Sequence, residues 1–172
     1  MENKLKIVFA GSPKSSSTIL QSLIDNSEVE VPYVISKEPK RAKRGNKLIP
    51  TEVAIKATKN GIDLLEPGSL NEIKKLITGF DFDFLLVAAY GKILPDWMLN
   101  APVYEPINVH YSVLPKHRGA SPIQSTILTG DTMAGISIMK MTKGLDEGPI
   151  YRKFKIDINE SDKEELEDKL SV

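Results

Sequence analysis

Phe84-Leu85-Leu86-Val87-Ala88-Ala89 places six apolar residues in a row between Asp83 and the Tyr90-Gly91 pair. A strand with one wet face alternates apolar and polar side chains, so an unbroken run predicts a strand covered on both faces, as at the centre of a parallel sheet. The flanking sequence keeps the rhythm that such a sheet requires. Residues 5–10 form a second apolar run ending at Gly11, and beyond Ser12 and Pro13 the residues Ile19, Leu20, Leu23 and Ile24 fall at helical spacing. Residues 29–36 supply a β-branched strand, 51–60 a helix stopped by Gly61, 62–65 a strand, and 69–77 a helix opened by a serine cap.

Past the Gly91 turn, residues 95–99 predict a short helix and 107–111 a strand that runs into a loop over 115–119. From Gly135 onward, Ile136 and Ile138, then Ile150, Phe154 and Ile156, read as two strands joined by the turn 144–148, an antiparallel pair at one edge. Strands and helices in this alternation predict an α/β fold, a Rossmann-like doubly wound and mostly parallel sheet, in one domain over residues 1–172. A capped helix over 161–170 meets the chain end. The expectation is a domain truncated before its C-terminal end.

Composition removes several chemistries. The chain has no cysteine and two histidines, so thiolate metal sites are excluded and no metal site is expected. Neither end carries a signal peptide or a long apolar run, which predicts a cytoplasmic protein without membrane partners. Gly11 stands alone where a dinucleotide site needs G-x-G-x-x-G, and neither a phosphate-binding Gly-Lys motif nor a G-x-S-x-G elbow occurs. Lys and Arg balance Asp and Glu at 23 each, so a nucleic-acid contact requires a local patch. One exists: residues 37–47 form a long loop holding Lys37, Lys40, Arg41, Lys43, Arg44 and Lys47.

Asn108 and His110 stand two apart on a strand, so both side chains emerge on one face and can converge on one substrate atom. They lie near the strand's carboxyl end, where open α/β sheets place ligands. An amide donor beside an imidazole suits an oxyanion, and Asp146, in a turn between Gly144 and Gly148, can orient the imidazole. On spacing alone the same pattern is more often that of a satisfied core or rim pair and a turn former. His117 reads as a surface loop residue.

Three separated blocks in order bear on that choice: Asn108-Val109-His110-Tyr111-Ser112-Val113-Leu114-Pro115, then Arg118-Gly119-Ala120 with Pro122-Ile123-Gln124, then residues 135–141 with Gly144-Leu145-Asp146-Glu147-Gly148. This arrangement resembles the folate-dependent formyltransferases. Phe9-Ala10-Gly11-Ser12-Pro13, Arg44-Gly45-Asn46-Lys47-Leu48-Ile49-Pro50 and Ala89-Tyr90-Gly91-Lys92-Ile93-Leu94-Pro95 are similar in particular to the branch that formylates methionyl-initiator-tRNA.

The resemblance implies the formyltransferase fold, 10-formyltetrahydrofolate as co-substrate without a metal, and Asn108, His110 and Asp146 as catalytic residues. It further implies that Gly91, Lys92 and Leu94, the stretch Ser112, Val113, Leu114 and Pro115, and Lys143, Gly144 and Leu145 line the folate pocket. Arg44, supported by Lys43 and Lys47, is then the tRNA contact. In that branch a C-terminal β-barrel domain that grips tRNA follows the catalytic domain, and the expectation is that it is absent here. Four features depart from the pattern: Tyr111 replaces a small residue, Val113 a leucine, and His117 an aromatic, and Lys14 to Ser17 lack an aromatic. Two alternatives stay open, a sister enzyme formylating a small amine such as an amino sugar nucleotide or glycinamide ribonucleotide, and a non-catalytic folate- or tRNA-binding fragment.

Overall fold

The computed structural model of the chain describes residues 4–41 and 47–172. In chain order its elements are β1 (Leu5–Gly11), α1 (Lys14–Ile24), β2 (Val29–Glu30), β3 (Tyr33–Ile35), β4 (Lys40–Arg41), β5 (Leu48–Ile49), α2 (Glu52–Lys59) and β6 (Asp63–Leu65). A 3-10 turn (Leu70–Ile73) then leads into α3 (Lys74–Thr78), followed by β7 (Phe84–Ala88), α4 (Asp96–Leu99), β8 (Glu105–His110), α5 (Pro122–Leu128), β9 (Met133–Lys140), β10 (Ile150–Asp157) and α6 (Lys163–Leu170). The sheet order is β10-β9-β8-β7-β1-β3-β6, with β2 also pairing β1. Pairs from β8 through β6 are parallel, whereas β9 and β10 run antiparallel at one edge.

Strand periodicity explains the two layers of helices. In β1, Val8 and Ala10 face one core while Phe9 faces the other, and in β7 Leu85 and Val87 oppose Leu86 and Ala88 in the same way. The first core is closed by Ile73, Ile77 and Met98 around α3 and α4; the second by Leu20, Val53 and Ala57 of α1 and α2. A third cluster packs Tyr111, Ile123 and Ala134 against Leu166 and Leu170 of α6. Each fully buried Leu or Phe contributes about 1.5–3 kcal/mol. The unbroken apolar run of β7 is thus the mark of a strand between two cores.

Differences from the sequence reading have local causes. The strand expected over 29–36 is two pieces, because Pro32 has no N–H to give the ladder, yet both pieces pair with β1. The helix at 69–77 begins as a 3-10 turn under a Ser69 capping box before becoming α3. The final helix is capped by Asp162, which accepts from Glu165 N at 2.9 Å, while Ser161 bonds back to Ile158. α5 was not legible: its seven residues carry Gln124, Ser125 and Thr126, and the latter two hydroxyls fold back on carbonyls four residues earlier. In the basic stretch, Lys40 and Arg41 pair antiparallel with Ile49 and Leu48, so the described flanks form a small hairpin rather than a plain loop.

Candidate active site

β8 divides the chemistry between its two faces. Val109 packs on the α1 side and Tyr111, just beyond the strand, packs beside it in the cluster with α6. Asn108 and His110 therefore share the opposite face. Tyr111 consequently fills a core rather than the cavity described below, and burial pushes its phenol up to about 12. The large residue at this position leaves the polar face of β8 undisturbed.

On that polar face His110 is buried, with a side chain 6% exposed. Its Nε2 lies 3.1 Å from the carbonyl oxygen of His117, a group that can only accept, so Nε2 carries a proton. Nδ1 is thereby turned toward Asp146, whose Oδ1 is 3.6 Å away. That spacing is an ion-pair distance and too long for a direct hydrogen bond. Asp146 is held by its other oxygen, which accepts from Gly119 N at 2.8 Å. Its backbone is left-handed at φ 49, a conformation Asp tolerates better than most residues.

The excursion between β9 and β10 brings Asp146 here. Met141 N donates to Pro106 O at the start of β8, and the following residues run back along the sheet face to the level of Asn108. A cavity of about 340 Å³ results. Leu94, Met139, Met141 and Leu145 supply apolar walls; Asn108, Thr142 and Asp146 supply polar groups. Lys92, Lys143 and Gly144 also line it, but the Lys92 ammonium donates to Pro67 O at 2.7 Å and Lys143 pairs with Asp96 at 2.5 Å. Gly91, next to Lys92 in the chain, is not among the lining residues; it has φ 69, and a Cβ there would collide with the Lys37 side chain. Burial first, then the charges of Lys40 and Lys92, lowers the Lys37 ammonium below its ordinary value.

Most of the expected residues meet here, but not all. Asn108, Asp146, Lys92, Leu94, Lys143, Gly144 and Leu145 line one cavity, with His110 against Asp146. Ser112, Val113, Leu114 and Pro115 do not reach it. Ser112 donates to Lys116 O at 2.6 Å, while Ser137 Oγ donates to Ser112 O at 2.7 Å and accepts from Leu114 N at 3.0 Å, which rivets this stretch to β9. Val113, Leu114 and Pro115, joined by a cis Leu114-Pro115 bond, line a separate cavity of about 290 Å³ with Met133 and Asp131. Lys43 and Arg44 lie outside the described residues, and Lys47 is exposed. His117, read from sequence as a surface residue, has a side chain only 14% exposed, bonded to Asp131 at 2.8 Å. Among the described residues no group of three His, Asp or Glu could hold a metal ion, and no helix is long and apolar enough to cross a membrane.

The family model described as formyl transferase matches residues 5–171. The chain belongs to the formyl transferase family. Among curated formyl transferases, methionyl-tRNA formyltransferase of Mycoplasma capricolum is 41% identical over 94% of this chain and 51% of its own length. That of Finegoldia magna is 43% identical over 98% of the chain and 55% of its own. The chain thus spans about half the length of the curated relatives it matches. Solved structures agree on the fold: glycinamide ribonucleotide transformylase 1 of Symbiobacterium toebii superposes with a TM-score of 0.77 at 23% identity, covering 98% of this chain and 81% of that one. Phosphoribosylglycinamide formyltransferase of Anaplasma phagocytophilum gives 0.78 at 21% identity, covering 98% and 80%.

Proposed function

We propose that this formyl transferase domain moves the formyl group of 10-formyltetrahydrofolate to the α-amino group of methionyl-initiator-tRNA in the cytoplasm, for translation initiation. The observation that carries the proposal is the cavity wall on which Asn108 and Asp146 meet, with the His110 imidazole against Asp146. Apolar walls with a few convergent polar groups suit a flat heteroaromatic ring with a polar edge, and a volume of about 340 Å³ accommodates one. Leu94, Met139, Met141 and Leu145 would hold that ring, helped by backbone groups around Gly144.

When bound, the donor supplies an amide-like formyl carbon that an amine can attack. The Asn108 amide donates to the formyl oxygen as it gains negative charge, and a protonated His110 Nδ1 adds a second donor. Asp146 balances the imidazole's charge and, directly or through a water, takes the proton that leaves the attacking nitrogen. The new carbon–nitrogen bond forms first, the bond to the donor nitrogen then breaks, and that nitrogen receives the proton Asp146 took from the amine. No step calls for a metal, because the two side-chain donors stabilise the charge a metal would otherwise meet.

For the acceptor, the relatives near 40% identity carry the methionyl-tRNA name, and the basic hairpin offers cations to a phosphate backbone. A small phosphorylated amine finds less. The amino end of α1, where a helix would draw a phosphate, faces Glu167 and Asp168: Ser15 donates to Glu167 at 2.6 Å and Lys14 pairs with Asp168 at 2.5 Å. The test offers the purified chain 10-formyltetrahydrofolate with methionyl-initiator-tRNA and, in parallel, with glycinamide ribonucleotide. Formylmethionyl-tRNA is expected. Formylation of the ribonucleotide alone would favour the sister reaction, and no formylation of either would leave a binding module.

A further inference from the structure

The mechanism needs His110 in one orientation, yet its Nε2 is held by a backbone carbonyl in a loop. What holds that carbonyl starts at the end of α5. Gly130, at φ 68, lets the helix stop with Gly130 N donating to Ile127 O at 3.0 Å and Asp131 N to Thr126 O at 3.3 Å. This closure aims the Asp131 carboxylate at the loop carrying residues 112–119. There it accepts from His117 Nε2 at 2.8 Å and pairs with Lys116 Nζ at 3.1 Å. The mostly covered His117 side chain, 14% exposed, and its left-handed backbone, φ 54, mark a residue whose conformation is imposed by its partners.

We infer that His117 and Asp131 form a clamp that positions the His110 imidazole, a reading that rests on His110 acting in the proposed transfer. The chain of contacts is continuous: Asp131 fixes the His117 side chain, the His117 carbonyl accepts from His110 Nε2 at 3.1 Å, and the ring's Nδ1 then faces Asp146. The rest of the loop has its own anchors, Ser112 on Lys116 O and Ser137 on Ser112 O and Leu114 N. Cutting the clamp therefore releases residue 117 without unfolding residues 112–116. His117 and Asp131 touch no reacting atom, so they are positioning residues, and losing them should misplace a donor rather than empty a binding site.

Two variants of the full chain test this. Asp131→Asn keeps the shape of the side chain and removes its charge; His117→Gly accepts the left-handed backbone and removes the anchor. Nitrogen-15 spectra of the imidazoles are expected to show the His110 Nε2 resonance shifted and broadened in both variants. Turnover should fall by about tenfold to a hundredfold, the cost of a small misplacement, with KM for 10-formyltetrahydrofolate unchanged. Lys116→Ala, which removes the ammonium paired with Asp131, should leave His110 as it is. The inference is overturned if the His110 resonances are the same in wild type, Asp131→Asn and His117→Gly, or if Lys116→Ala disturbs them equally. A wild-type chain without transfer activity would count against the function, while the His110 spectra still decide the clamp.

Discussion

The wall around His110 and the basic hairpin around residues 40–49 are built on opposite terms. In the wall, Asp146 is held by Gly119 N, His110 by His117 O, and the loop that follows His110 by Ser137. The hairpin's strands are two residues each, and Lys40, Arg41, Leu48 and Ile49 are all exposed. Chemistry on a formyl group needs donors fixed to within a fraction of an ångström, whereas a phosphate backbone is met by long cations that adapt. The two regions should therefore fail differently when altered.

The largest effect is expected in the wall. Asn108→Ala and His110→Ala should each slow the chemical step by about 100-fold or more, as loss of an oxyanion donor does, without weakening tRNA binding. Single-turnover rates at saturating substrates measure it; unchanged rates in both variants would remove the distinction. In the basic stretch of the sequence, Arg44→Ala should weaken tRNA use by about tenfold and flatten its salt dependence by about 0.7–0.9 in the log–log slope, with folate binding intact. Equal use of tRNA by the variant at low and high salt would make the hairpin a solvated surface.

The smallest effect separates the wall's support from the wall itself. The His117 hydrogen bond first, then that of Lys116, holds the Asp131 carboxyl below its ordinary 3.8. A depressed carboxyl stabilises the fold above its unfolded value and loses that contribution as pH falls through the folded one. Wild type should melt above Asp131→Asn at neutral pH, and the gap should close on acidification through that range. A gap that widens with acid would contradict the assignment.

Much of the fold was legible because its signals are local: the run at 84–89 needs no partner to be read as a doubly covered strand, and the spacing of Asn108 and His110 determines that they share a face. Asp146 was legible as a turn residue, but its approach to His110 depends on how the excursion after β9 folds back. The bond that holds His117 was missed because its partner, Asp131, comes 14 residues later, on the far side of a short polar helix that itself gave no periodic signal. The stretch 112–115 was assigned to the folate pocket by resemblance, while its own hydrogen bonds to Ser137 draw it to a second cavity. Spacing along the chain does not tell which of two cavities a stretch lines.

Methionine methyl groups can distinguish them, since Met139 and Met141 line the cavity beside Asn108 and Met133 lines the one beside Pro115. With methyl-labelled methionine and 10-formyltetrahydrofolate carrying a carbon-13 formyl group, nuclear Overhauser contacts from the formyl proton report which wall the reacting carbon touches. Contacts to Met139 or Met141 are the predicted result. Contacts to Met133, with none to Met139 or Met141, would place the donor in the other cavity and contradict the account of the site.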